Sequence, residues 1–220
     1  MKKALLVLLL STAAFGQDPR EQVRLMRTYA QAGEKDKAFA ILDQLAKNGF
    51  GAVNMLNADD ALVPLRSDPR WKADLAEMDR NAHPCRYGPE YRQFDYWLGE
   101  WDVEIGGQKA AKSSIQLILD DCVVFENYTD LRGYAGKSFS IYDARSKKWQ
   151  QRYVDPGGAF HEWVGGLVDG VMTFRWDHDG ALHRMTYTKE GPDHVRQILE
   201  TSADGKTWTK TYDGLYIRRR

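Results

Sequence analysis

Glu100, Asp102 and Glu104 recur at alternate positions in "FDYWLGEWDVEIGG" (94–107) and raise the first chemical question. Two carboxyls cleave a glycosidic bond when they face each other about 5–10 Å apart across a cleft, one with a raised pKa. Here Trp101, Val103 and Ile105 alternate with the acids, so a strand turns Asp102 and Glu104 to the face opposite Trp101, towards solvent. The acidic active site is set aside on that ground. A sugar platform built on the rings of the same stretch ranks below a core role, because aromatics are enriched in any β core.

The histidines are His83, His161, His178, His183 and His194, and none shows the H-x-H or H-E-x-x-H spacing of a metal centre, so no metal site is assigned. His178 falls in the turn "DHDG" and His83 in a connecting segment, and His161 and His183 can meet only through the fold. His161, mid-strand among aromatics in "AFHEWVGG", is the one singled out. There is no G-x-S-x-G elbow and no phosphate-cradling glycine loop leading into a helix, so neither a catalytic residue nor a cofactor is assigned. "SADGKTW" (202–208) falls one residue short of an Asp box and reads as a hairpin turn. What remains is polar residues inside strand-like segments: Glu126, Gln151, Tyr153, Arg175 and Gln197. Parity alone does not say which of them face inward, because the register is unknown. Pointing inward, they and His161 would form the satisfied polar cluster that a ligand site requires.

The elements that must hold these residues show two periods. Residues 17–82 read as helix: "PREQVRLMRTYAQAG" places Val23, Met26 and Ala30 on one stripe, and "KDKAFAILDQLAKNGF" repeats Ala38, Ile41, Leu42 and Leu45 at helical spacing. Gly33 and Gly49 stop these helices, and a third begins at "SDPRW", capped by Ser67 or Asp68 with Pro69 in its first turn. "AHPCRYGPE" is rich in turn formers, and residues 83–90 are taken as a linker. From Trp97 onward the period is two, over about ten short aromatic and β-branched segments. Asp169-Gly170, Asp179-Gly180, Gly106-Gly107 and similar pairs separate them as hairpin turns. An antiparallel meander over 91–220 follows, and it removes its edges most simply by closing into a barrel. Trp97 is expected to seal a seam between helices and barrel, residues 94–98 to cover the barrel entrance, and Trp101 to form its floor.

The first sixteen residues, "MKKALLVLLLSTAAFG", have the basic start, short apolar run and small-residue end of a signal peptide, with cleavage near Gly16. The expected location is periplasmic or secreted, and the apolar run is too short to span a bilayer. The 220-residue chain carries 31 basic and 31 acidic residues, a balance that argues against nucleic acid or an anionic membrane as partner. Two cysteines in an oxidising compartment allow one connectivity, Cys85–Cys122.

Gly99-Glu100-Trp101 at the head of the first strand is similar to the G-x-W element of lipocalins, in which an arginine from the last strand covers the tryptophan. Arg218 in "DGLYIRRR" is the matching partner for Trp101. "FDYWLGEWDVE", "DDCVVFENY", "GKSFSIYD", "KWQQRYVDPGG" and "VRQILETSADGKTWTKTYDGLYIR" together resemble an uncharacterised bacterial lipocalin-like family of exported proteins, over roughly residues 91–218. "TYAQAGEKDKAFAILDQLAKNGF" resembles a single tetratricopeptide-type hairpin, read as a helical appendage packed on the next domain, since arrays need about three repeats. The expected fold is therefore α+β: an N-terminal helical hairpin region, then a closed, roughly ten-stranded antiparallel lipocalin-like barrel.

The resemblance implies a fold without an established reaction. By fold analogy the leading expectation is non-covalent binding of a small apolar or amphipathic ligand in the barrel. Two alternatives stay open. One is a protein partner docking on the helical region. The other is a cofactor-free isomerase, hydrolase or decarboxylase using an acid/base pair such as Glu126 with His161.

Overall fold

The computed structural model describes residues 18–220, so the leader expected at 1–16 lies outside the described residues. Within them the chain forms two compact units, which divide between His83 and Pro84.

The first unit is helical. In α1 (Pro19–Gln31) the Asp18 carboxylate accepts from the Arg20 N–H, and in α4 (Pro69–Ala82) Asp68 does the same for Arg70, each followed by proline in the first turn. Such caps satisfy N–H groups that have no partner within the helix. Between them lie α2 (Lys35–Lys47), the short α3 (Val53–Asn57) and a 3-10 helix over Asp60–Leu65; the last two carry too few residues to show a helical period in the sequence. The apolar stripes close on one another. Met26, Ala38, Leu42, Leu56, Leu62 and Met78 are fully buried in one core with Trp71. Asn81 Nδ2 donates to the carbonyls of Ala46 and Phe50 and so fastens α4 to the end of α2. Leu25, Met55 and Val63 are the large apolar side chains this unit leaves exposed.

The second unit is a closed antiparallel barrel of ten strands: β1 (Gly99–Ile105), β2 (Gln108–Ile118), β3 (Val123–Asp130), β4 (Ala135–Asp143), β5 (Lys148–Val154), β6 (Phe160–Val168), β7 (Val171–His178), β8 (Ala181–Lys189), β9 (His194–Ser202) and β10 (Thr209–Arg218). Each strand pairs with the next, and β10 returns to β1 with Trp101 opposite Arg218. The Asp-Gly pairs turn the chain as their spacing predicts: Asp169 and Asp179 lie at φ 49°, with Gly170 and Gly180 also at positive φ. Register shifts in β1 at Val103/Glu104 and in β10 near Tyr212 add the local bend that closure needs.

Residues 84–97, read in part as linker, belong to this unit. They form α5 (Pro84–Tyr87) and two 3-10 turns, Pro89–Arg92 and Asp95–Trp97, and the Cys85–Cys122 disulfide ties α5 to the start of β3. Phe94 and Trp97 are fully buried in the barrel's own core. Their rings stack 4.9 Å apart, and Trp97 packs 4.7 Å from Tyr187. Trp97 is therefore part of the barrel interior. Residues 94–98 close the same end as Trp101, not the entrance: Trp101 Nε1 donates to the Trp97 carbonyl and Arg218 Nη1 to the Leu98 carbonyl. The Arg218 guanidinium stands 4.2 Å from the centre of the Trp101 ring. Gly99 makes this closure fit, since its φ is 127° and an added Cβ would lie 2.4 Å from Arg218 Nη1.

Candidate functional site

Strand pairing sorts the interior into three layers. The layer at the starts of β5 and β7 and the end of β8 is the floor: Trp101, Phe94, Trp97, Trp149, Met172 and Phe174, all buried. The layer at the opposite strand ends lines an open cavity of about 840 Å³. Between them lies a polar layer, and it is the centre of the site.

In the polar layer Glu126, on β3, is 5 % exposed. Its Oε1 accepts from Ser113 Oγ at 2.8 Å and from the Tyr216 hydroxyl at 3.2 Å, and its Oε2 accepts from Ser138 Oγ at 2.9 Å. These donors come from β2, β10 and β4, the strands whose inward parity matches Glu126. The network continues round the wall. The Tyr216 hydroxyl also reaches Gln197 Oε1 at 3.0 Å, Gln197 Nε2 donates to the Tyr187 hydroxyl at 2.9 Å, and Gln151 Nε2 donates to Ser140 Oγ at 2.9 Å. Burial pushes the Glu126 carboxyl above its usual range, against the pull of the three hydroxyl donors. Burial likewise pushes the phenols of Tyr187 and Tyr216 well up, so both stay protonated donors.

A carboxyl raised by burial binds its proton more tightly in the folded chain than in the unfolded one. Its contribution to stability is therefore greatest at low pH and is lost as pH rises from about 4.3, the unfolded value, through the raised folded value. Glu126→Gln keeps the shape and is expected to flatten that fall. Urea midpoints of both proteins across about pH 4 to 8 test it; parallel curves would mean that Glu126 titrates normally.

Towards the mouth, the wall on β5 to β8 is a run of stacked rings. His161 lies 5.6 Å from Trp163 with planes 9° apart, Trp163 is 5.4 Å from Trp176, and Trp176 stacks on His183 at 5.2 Å and 12°. Tyr153 adjoins His161 at 6.3 Å. Gly136 on β4 leaves room for that tyrosine, since an added Cβ would lie 2.2 Å from its hydroxyl. Desolvation by burial raises the Tyr153 phenol.

Of the residues singled out from the sequence, Glu126, Gln151, Tyr153, His161 and Gln197 line this one cavity. Arg175 does not. It is exposed on the outer face of β7, paired with Val164 and Arg184, because Phe174 and Trp176 take the inward positions on either side of it. Tyr128, Trp163, Trp176, His183 and Tyr212 also line the cavity, and sequence reasoning missed them as site residues. The alternation of Met172, Phe174 and Trp176 was the signal that placed Trp176 inside and Arg175 outside. The hydrogen-bond partners of the Glu126 carboxyl among the described residues are Ser113, Ser138 and Tyr216, and His161 stacks in the ring run instead.

The fold and site define a class: a closed ten-stranded antiparallel barrel, sealed at one end, with an aromatic cavity over a buried polar layer. No protein-family model matches the chain, and no curated protein matches its sequence.

Proposed function

We propose that the barrel binds one small, partly apolar ligand non-covalently, with its apolar body against the Trp163–Trp176 wall and its polar end on the Glu126–Gln197–Gln151 layer. The observation that carries this reading is the cavity of about 840 Å³. That size falls in the range of small-molecule sites, which are mostly apolar with a few convergent polar groups. The lipocalin-like arrangement supports it, with Gly99-Glu100-Trp101 opening β1 and Arg218 lying over Trp101. We place the protein in an oxidising compartment outside the cytoplasm; the Cys85–Cys122 bond supports that placement. No helix of the described residues is long and apolar enough to cross a membrane.

Native mass spectrometry of protein purified from the organism that makes it is expected to show an added mass that leaves on denaturation. Titration with N-phenyl-1-naphthylamine, a neutral apolar fluorophore, is expected to give saturable binding and to quench tryptophan emission through Trp163 and Trp176. An empty spectrum together with no dye binding would overturn the reading.

A further inference from the structure

The donors and acceptors of the polar layer are unequally spent. The hydroxyls of Ser113 and Ser138 point at Glu126, the Tyr187 hydroxyl at Gln151 Oε1, and the Gln197 amide at Tyr187 and the Met185 sulfur. The Tyr216 proton is shared between Glu126 and Gln197. A carboxylate has about four acceptor sites and an amide oxygen two. Glu126 Oε2, with one donor, and Gln151 Oε1, with one donor at 3.3 Å, therefore keep acceptor capacity towards the cavity. These two oxygens are the acceptors that a donor-bearing end of a ligand would fill.

Charge points the same way. The cavity is lined by Glu126, Asp130, Glu162 and Asp177 and by no lysine or arginine. Glu162 is offset by Arg152, which lies outside the lining, whereas Asp130 at the rim accepts from the backbone N–H groups of Arg132 and Tyr134. The rings of Tyr128, Trp163, Trp176 and Tyr212 offer the negative faces that attract a cation. An anionic end would meet a buried carboxyl in a lining without lysine or arginine. A cationic end would meet a carboxyl, spare acceptors and aromatic faces.

We propose that the ligand of this cavity is a protonated amine on an aromatic or apolar body, with the ammonium seated on Glu126. This rests on the cavity being a binding site and adds the chemical class of what it takes. An ammonium brings three donors and a positive charge to Glu126, whose Oε2 has a single donor.

The test is calorimetric titration of the full chain at neutral pH with 4-phenylbutylamine, 4-phenylbutanol and 4-phenylbutyrate, three probes that share one body. The amine is expected to bind roughly tenfold or more tightly than either of the others, because only it brings a positive charge to the Glu126 carboxyl. Glu126→Gln is expected to remove that margin and leave the alcohol within about twofold, with an unchanged far-ultraviolet circular dichroism spectrum and a cooperative melt as the check on the fold. An alcohol or acid that binds as well as the amine would overturn the amine assignment while leaving the binding cavity standing. The same holds if none of the three binds to protein that still takes up the dye. Loss of dye binding as well would remove both readings. If the Gln variant does not fold, the three-probe order on the unaltered chain decides alone.

Discussion

Trp101→Ala is expected to lower the unfolding free energy of the barrel by about 3–5 kcal/mol, the range for truncating a large buried aromatic. Trp101 is 0 % exposed at the floor, and the truncation removes several interactions together. The Trp97 carbonyl loses its indole N–H donor, the Arg218 guanidinium loses the ring it covers, and the 3-10 turn ending at Trp97 loses its support. Arg218→Ala removes the ring contact and the hydrogen bond to the Leu98 carbonyl and is expected to cost less, about 1–3 kcal/mol. Chemical denaturation followed by tryptophan emission suits the comparison, because every tryptophan except Trp71 lies in the barrel unit. A loss below about 1 kcal/mol for Trp101→Ala would mean that the floor closes without it.

Removing the disulfide is the second large effect. The Cys85–Cys122 bond closes a loop with a sequence separation of 37, and its loss is expected to cost about 2–5 kcal/mol. The non-covalent contacts at the same place are weak substitutes. Arg86 pairs with Asp120 and Asp121 on the surface, where ion pairs contribute about 0–1 kcal/mol each. The turn they hold is costly, since Leu119, Asp120 and Asp121 are three successive residues at positive φ. Cys85→Ser/Cys122→Ser, or reduction of the unaltered chain, is expected to lower the barrel's melting temperature by several degrees, about 4 °C or less per kcal/mol for a unit of this size. An unchanged melting temperature after verified reduction would show that the turn holds itself.

The sequence carried the fold further than the site, for a physical reason. Strand count and closure follow from short-range signals: alternation over five to eight residues, and Asp-Gly turns whose left-handed backbone fixes each hairpin. The same alternation placed Trp101 and Val103 inward and Asp102 and Glu104 outward within one strand. Site residues depend on how ten strands share a face, which no single segment contains. Glu126 needed Ser113, Ser138 and Tyr216 from three other strands before its burial made sense. Arg175 shows the opposite error, a polar residue taken alone when its neighbours Phe174 and Trp176 already fixed the parity. The short helices from Val53 to Leu65 and from Pro84 to Trp97 escaped because their order comes from what they cover rather than from their own period.

The pairing of β1 with β10 sets a timetable. A chain that emerges from its N-terminus presents Trp101 and the open edge of β1 early, yet Arg218, which donates to the Leu98 carbonyl, arrives 120 residues after Leu98. Until then the hairpins can zip one onto the next but the sheet has two raw edges, and the floor has no lid. Joining the first and last strands is the contact of highest sequence separation, so it carries the largest loop-closure cost and belongs among the last and slowest events of folding. The last strand, β10, thus acts as the latch of the whole vessel. A chain that stops short of it is a sheet prone to pair with its neighbours.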